Sequence, residues 1–158
     1  IAAASGQAIQ FGALVNQGTE LNAQTPKGNS ALHLAIQSGN PKTVEALLRA
    51  GADVTQKARD GFSPIHFACL PMNGLNGNTA NQLAIIRLLL QYNAPINDMA
   101  DNGCTPLHVA AKWGEKDIVE FLLTEGAAKF LEDSDGNTAV SVARNAGNIE
   151  LATLLEAK

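Results

Sequence analysis

Aromatic side chains are scarce in this sequence: one Trp, one Tyr and five Phe make up 4% of 158 residues. A core built with so few rings has to come from small and medium side chains. Here these are mostly Ala and Leu within a 46% hydrophobic fraction, which suits helices that approach closely. Charge is sparse as well, at 16% against roughly 25% in an average domain. The net charge of −4 argues against general binding to phosphate backbones, so no nucleic-acid partner is expected. No run approaches the ~18 consecutive apolar residues of a membrane-spanning helix, so no membrane association is expected either. High hydrophobicity with low charge excludes a disordered chain. Two cysteines cannot make a disulfide framework.

An initiator methionine is also missing. A chain starting at Ile1 is expected to be either processed or a piece of a longer protein. The stretch Ile1-Ala2-Ala3-Ala4 is too short to be a signal peptide itself. A cytoplasmic location is the default expectation, with a periplasmic or secreted one if an upstream signal was removed.

What the sequence does have is repetition. Gly28-Asn29-Ser30-Ala31-Leu32-His33-Leu34-Ala35 is echoed by Gly61-Phe62-Ser63-Pro64-Ile65-His66-Phe67-Ala68. It returns as Gly103-Cys104-Thr105-Pro106-Leu107-His108-Val109-Ala110, and in decayed form as Gly136-Asn137-Thr138-Ala139-Val140-Ser141-Val142-Ala143. The leading glycines are 33, 42 and 33 residues apart. A second motif follows each first one: Val44 to Ala52, Ile85 to Ala94 and Ile118 to Ala127, with an earlier copy from Phe11 to Gly18. In this frame Ile1 lies inside a first helix, and Gly6 aligns with Gly39.

Each motif position has a local reason. Ser63 or Thr105 suits a helix N-cap, where a hydroxyl accepts a bond from a free backbone N–H. Pro64 or Pro106 takes the first helical turn, where no N–H is needed. Leu107, Val109 and Ala110 face inward on a short helix that Gly114 ends, as Gly39 does in repeat two. Val44, Leu47 and Leu48 form the apolar stripe of a second helix, ended by Gly51 or, later, Gly126. No single repeat can bury its own stripe, so stacking has to supply the core.

A period of ~33 residues with T-P-L-H-x-A and L-L-x-x-G-A resembles the ankyrin repeat. The resemblance covers the whole chain. It implies an all-α repeat solenoid of stacked helix-turn-helix units with β-hairpin tips, as a single domain. The five repeats are about 1–26, 27–59, 60–101, 102–134 and 135–158. The last has Ala139 and Ser141 in place of Pro and His, as a closing repeat would.

Residue types that suggest chemistry have a plainer reading. His33, His66 and His108 fall at one repeat position, so roughly 10 Å separates neighbours. That is too far for two imidazoles to share a metal at ~2 Å bond lengths. They are expected to be buried and bonded to nearby Thr and backbone groups. Cys69 reads as a small core residue and Cys104 as a partly exposed thiol; no base stands near either in sequence. Asp133-Ser134-Asp135-Gly136 has the start of a calcium loop but not its remaining ligands. No phosphate loop, G-x-S-x-G, H-E-x-x-H or C-x-x-C pattern occurs. No cofactor, metal or catalytic residue is expected.

Repeat three is nine residues longer than its neighbours. The extra residues fall between its helices, around Pro71 to Gln82. Pro71 ends the first helix near Leu70, two Asn-Gly pairs form turns, and Thr79 with Gln82 matches a capping box, starting the second helix near Ala80. Met72 and Leu75 are the apolar residues of this insertion that could touch a partner.

The resemblance further implies a groove made by the tips and the first helices. Mapped here, that surface includes tip residues Arg59, Asp60, Asp101, Asn102, Ser134 and Asp135. It also includes Phe62, Cys104 and Asn137 just after the tip glycines, and Leu70, Lys112, Trp113 and Asn145 on the helices. Phe62 and Trp113 are the aromatics placed toward the groove, and Trp is enriched at binding hot spots. Lys27, Lys57 and Arg59 on the early tips, against Asp98, Asp101, Glu132, Asp133 and Asp135 on the late ones, give a basic-to-acidic gradient able to orient a partner. The expected function is non-catalytic recognition of another protein by a chain that is a monomer when free. The expected contacts are Arg59, Phe62, Leu70, Met72, Leu75, Asp101, Lys112, Trp113 and Asp135. Two alternatives are an inhibitor or protector that blocks the active site of a bacterial enzyme, and a targeting module cut from a longer enzyme or effector.

Overall fold

The computed structural model of the chain describes residues 21–71 and 78–158. Among these residues eight α-helices run in pairs: α1 (Ala31–Gln37) with α2 (Pro41–Arg49), α3 (Pro64–Ala68) with α4 (Thr79–Gln91), α5 (Pro106–Trp113) with α6 (Lys116–Thr124), and α7 (Ala139–Asn145) with α8 (Ile149–Ala157). The helix expected around Ile1 and Gly6 lies outside the described residues.

The motif residues start and stop these helices as their chemistry requires. Pro41, Pro64 and Pro106 occupy first helical positions. The second helices α2, α4 and α6 end alike, in paired reverse bonds. Ala52, Ala94 and Ala127 donate back to Leu47, Leu89 and Leu122, at 2.9 to 3.0 Å. The residue at the turn has positive φ in each case. It is Gly51 and Gly126 in two repeats and Asn93 (φ 66°) in the third. Asn tolerates that conformation better than any other residue with a side chain, which explains the missing glycine.

Each helix packs on its own partner and on the equivalent helix of the next repeat: α1 on α3, α3 on α5, α5 on α7, and likewise α2 on α4 and α4 on α6. The result is two layers with one continuous core. Leu32, Ile65, Leu107 and Leu155 are among its fully buried side chains. Alanines at contact positions, such as Ala35, Ala68, Ala110 and Ala143, have no exposed surface and let the first helices approach.

The tips differ from the expected β-hairpins. Among the described residues no strand forms. Each tip is a tight turn closed by two backbone bonds. One runs from Ala58 to Phe62 O (2.8 Å), Ala100 to Cys104 O (2.9 Å) and Asp133 to Asn137 O (2.9 Å), the other from the glycine N–H of Gly61, Gly103 and Gly136 back to the carbonyls of Ala58, Ala100 and Asp133. Five residues are too few for a strand ladder. The tips bond to one another instead, Asp101 N–H to Asp60 O at 3.0 Å and Ser134 N–H to Asn102 O at 2.9 Å.

Repeat three also departs from expectation at its insertion. Helix α4 begins at Thr79, and the cap is Asn78, whose side chain accepts from the Asn81 N–H at 2.7 Å. Gln82 is not the closing member of a capping box. It is 3% exposed and donates to Ala68 O at 2.9 Å and Leu70 O at 2.8 Å. Those carbonyls lie at the C-terminal end of α3, where carbonyls lack partners within the helix, so the buried amide serves the helix end. Met72 and Leu75 lie outside the described residues.

A second set of bonds joins the loops that follow the second helices. Asn22 Oδ1 accepts from Asp53 N–H at 3.0 Å, and Asn97 Oδ1 accepts from Ala128 N–H at 2.9 Å. Between repeats two and three this bond is impossible, because Pro95 stands where the donor belongs. Lys57 crosses that junction instead, donating to Asp98 Oδ1 at 2.9 Å and Met99 O at 2.6 Å.

Candidate functional site

The three histidines build the framework on which the site sits. Each imidazole accepts at Nδ1 from a backbone N–H three residues earlier: Ser30 to His33 and Ser63 to His66 at 3.2 Å, and Thr105 to His108 at 3.1 Å. Each Nε2 faces a carbonyl of the next repeat: Phe62 O at 3.3 Å, Cys104 O at 2.9 Å and Asn137 O at 2.9 Å. A carbonyl only accepts, so the proton sits on Nε2 and the ring is neutral. Burial pushes His33 and His66 below the usual histidine value, more than the bonds to Phe62 O and Cys104 O raise them. These residues are clamps between repeats.

The clamped residues Phe62 and Cys104 have side chains that open onto a depression of about 500 Å³. Leu70, Lys112 and Trp113 line it on the helix side, and Asp133 and Asp135 line it from the following tip. Trp113 is the last residue of α5. The left-handed Gly114 that follows (φ 75°) turns the chain away and leaves the indole 52% exposed. Ala146 holds the equivalent position in repeat five and also lines the depression, so a small side chain opposite the indole leaves the space open.

Five of the nine expected contact residues therefore come together here: Phe62, Leu70, Lys112, Trp113 and Asp135. Arg59 and Asp101 are exposed at the tips but do not line the depression. Phe62 is less available than its position suggests. It is half-buried, with its ring stacked on His66 at 5.2 Å between centroids. Val109, Val142 and Ala146 complete the floor and wall without having been singled out by the sequence. Val109 reads as inward-facing, and it is 5% exposed; the same face that packs on the next helix also floors the groove. The register itself was the available signal, since Val142 repeats Val109 and Ala146 repeats Trp113.

The charge gradient along the tips is shallower than the sequence suggests. Lys57 and Asp98 neutralise each other across the junction of repeats two and three. Burial alone would raise Asp98, but its bonds to Lys57 and Ser63 outweigh that and hold it below the usual carboxylate range. Asp133 is also committed to the fold. Its Oδ1 accepts from the N–H groups of Asp135 (3.0 Å) and Asn137 (2.9 Å). Burial alone would raise it, but the bonds from Asn137 and Asp135 together outweigh that and hold it below the usual carboxylate range. Asp101 and Asp135 remain exposed, and neither forms an ion pair among the described residues.

The site has little reactive chemistry. Both cysteines are free thiols; Cys69 is buried and Cys104 half-buried. Burial raises both, and Asp133 raises Cys104 further, so neither is a ready thiolate. Among the described residues no cluster of His, Cys, Asp and Glu could hold a metal ion, and no helix is long and apolar enough to cross a membrane.

Comparison with known proteins places this architecture. A family model described as ankyrin repeats (3 copies) matches residues 1–97, 57–133 and 75–158. A putative ankyrin repeat protein of Fowlpox virus (strain NVSL) is 33% identical over 116 residues, covering 70% of this chain and 32% of its own length. The NF-kappa-B inhibitor delta of Mus musculus is 30% identical over 137 residues, covering 78% of this chain and 42% of its own. The target of rapamycin complex 2 subunit AVO2 of Saccharomyces cerevisiae (strain ATCC 204508 / S288c) is 31% identical over 141 residues, covering 85% and 31%. The chain thus spans less than half the length of each of these relatives. Ankyrin repeats generally serve as non-catalytic modules of protein–protein interaction. With stacked helix pairs, histidine clamps in repeats two to four and family matches running across its length, the chain belongs to the ankyrin-repeat family.

Proposed function

We propose that the chain binds a protein partner through the depression between repeats three, four and five, with Trp113 as the principal contact. The observation that carries this reading is the indole at the mouth of that depression. It is 52% exposed in a protein with a single Trp, and no core packing requires it there. Leu70 and Phe62 extend the apolar surface, while Lys112 and Asp135 supply charge of both signs at its edge. An apolar centre with a polar rim is the usual anatomy of a recognition surface. The rigid clamps behind Phe62 and Cys104 hold the surface in shape before binding, which lowers the ordering cost of association.

The test is a calorimetric titration of a partner purified with the native chain. Trp113→Ala should weaken binding at least tenfold, in the range of a hot-spot truncation at about 2 kcal/mol. Arg49→Ala, in an exposed ion pair with Glu45 on α2, should leave affinity unchanged. Native affinity in Trp113→Ala would overturn the placement of the site.

A further inference from the structure

We infer that the depression receives an extended partner segment carrying an arginine, whose guanidinium lies over the Trp113 indole and pairs with Asp135. This inference rests on the reading that the depression is the contact surface, and it adds the chemistry of what enters.

Three observations point to a basic side chain. First, the charged groups that line the depression are Lys112, Asp133 and Asp135, an excess of carboxylate. All three act electrostatically on the Cys104 thiol, which places them around one point of the wall. Asp101 stands on the adjoining tip and adds to the negative field. Second, no ion pair among the described residues involves Asp101, Asp133, Asp135 or Lys112. Of the basic tip residues, Lys57 is spent on Asp98, and Arg59, in register with Asp101, does not line the depression. Asp135 contributes only its backbone N–H to the turn, so its carboxylate is left for a ligand. Third, the largest apolar side chain lining the depression with these carboxylates is the half-exposed indole of Trp113. A guanidinium stacks on such a face and keeps its in-plane N–H groups free for a carboxylate. Arginine satisfies both neighbours at once. Lysine presents a point charge to them and lacks the planar fork.

Lys112 sets the register of such a segment. It lies directly before Trp113 in the sequence and on the same helix, so the segment's own acidic or carbonyl groups meet it on the helix side while the arginine faces the tip.

The probe is a random twelve-residue peptide library displayed on phage, selected on the native chain. Recovered peptides are then synthesised and titrated by calorimetry against the native chain, Trp113→Ala, Asp135→Asn and Lys112→Gln. All variants are checked for native helix content by circular dichroism. Trp113 is the one Trp in the sequence, so its emission also reports binding to the native chain directly. The expected result is enrichment of arginine, with affinity at least tenfold lower for both Trp113→Ala and Asp135→Asn, and falling with added salt. Replacing the arginine of a recovered peptide by lysine should cost severalfold. Peptides rich in Asp or Glu that fail on Lys112→Gln but still need Trp113 would overturn the arginine inference and leave the site standing. Peptides indifferent to Trp113→Ala, or no peptide retained on the native chain, would overturn both.

Discussion

Replacing His66 by Ala tests whether the imidazoles are the clamps between repeats. The change removes the acceptor for the Ser63 N–H (3.2 Å) and the donor to the Cys104 carbonyl (2.9 Å). Ser63 has no exposed surface, so its N–H cannot turn to solvent. A buried polar group left unpaired costs about 1–3 kcal/mol. Loss of the stacked Phe62 adds about 1 kcal/mol. Water entering the vacated polar space offsets part of this, which brings the net loss to about 3 kcal/mol. The loss falls on one interface, that between repeats three and four, and stability in such arrays is a sum of repeat and interface contributions. Two probes separate the halves. Trp113 emission follows repeat four, while far-ultraviolet circular dichroism follows all the helices. In urea the two should coincide for the native chain. In His66→Ala the midpoint should fall and the two curves should part. A loss under about 1 kcal/mol with curves that still coincide would refute the reasoning, because it would mean that the imidazole bonds merely replace equivalent bonds to water.

The same imidazoles make stability depend on pH. Burial lowers His33 and His66 from the ordinary value of 6.5. Their contribution is complete above that value and declines as pH falls from 6.5 toward the depressed folded values, where the unfolded chain binds protons first. Urea midpoints should therefore drop as pH is lowered from about 7.5 to 5.5, less so in His66→Gln; a midpoint flat or rising over this range would contradict the neutral tautomer. At the tips, Gly61→Ala should cost more than Gly136→Ala. An added Cβ at Gly61 (φ 74°) lies 2.6 Å from the Asp101 N and 2.4 Å from its Oδ1, disrupting the tip-to-tip bond, whereas at Gly136 (φ 77°) it meets nothing within 4 Å. Left-handed strain alone gives about 1–2 kcal/mol at Gly136, and the lost contact adds about 1–2 kcal/mol at Gly61. Equal shifts in thermal midpoint would show that the tips do not bear on one another.

Most of the helices could be read from the sequence because their determinants are local. A proline at the first helical position, a glycine at the turn and an i, i+3, i+4 apolar stripe belong to one repeat and recur in the next. The misreadings all involve partners distant in sequence. Gln82 has the spacing of a capping residue from Thr79, yet the carbonyls of Ala68 and Leu70 at the end of α3 take its amide. Lys57 and Asp98 look like two separate tip charges, yet they form one ion pair 41 residues apart in sequence. Pro95 removes a donor that only the bond between Asn97 and Ala128 reveals to be part of a series. Phe62 does line the depression, and its ring is also stacked on His66, four residues on, which leaves it half-buried. The tips resisted reading for a related reason. Their backbone groups bond to neighbouring tips, so turn-forming residues that suggest a hairpin end in no ladder.

The clamps also explain why the fold is easier to read than the partner. Each imidazole fixes the next repeat through a backbone carbonyl, and the residues supplying it are Phe62, Cys104 and Asn137. Any residue type can supply a carbonyl, so the framework places no demand on the side chain at that position. Yet the side chains of Phe62 and Cys104 are the ones turned toward the groove. Phe62 and Cys104 therefore act at separate atoms: the carbonyl belongs to the array and the side chain to the surface of the depression. Constraint on the histidine leaves the side chain of its partner residue free to vary. An aromatic, a thiol and an amide at three equivalent positions are the outcome of that freedom. In repeat five Ser141 replaces the histidine and is too short to span the same gap; it bonds to Thr138 of its own helix start instead. The last forward clamp, from His108, ends on the acidic wall of the depression at Asn137 O. Repeat five contributes that wall, held by this clamp, by packing of α7 on α5 and by the bonds from Asn148 to Ala111 O and Lys112 O, both at 3.1 Å. Those last bonds end on the residues just before Trp113, so the position of the indole is set by repeat five as much as by its own helix.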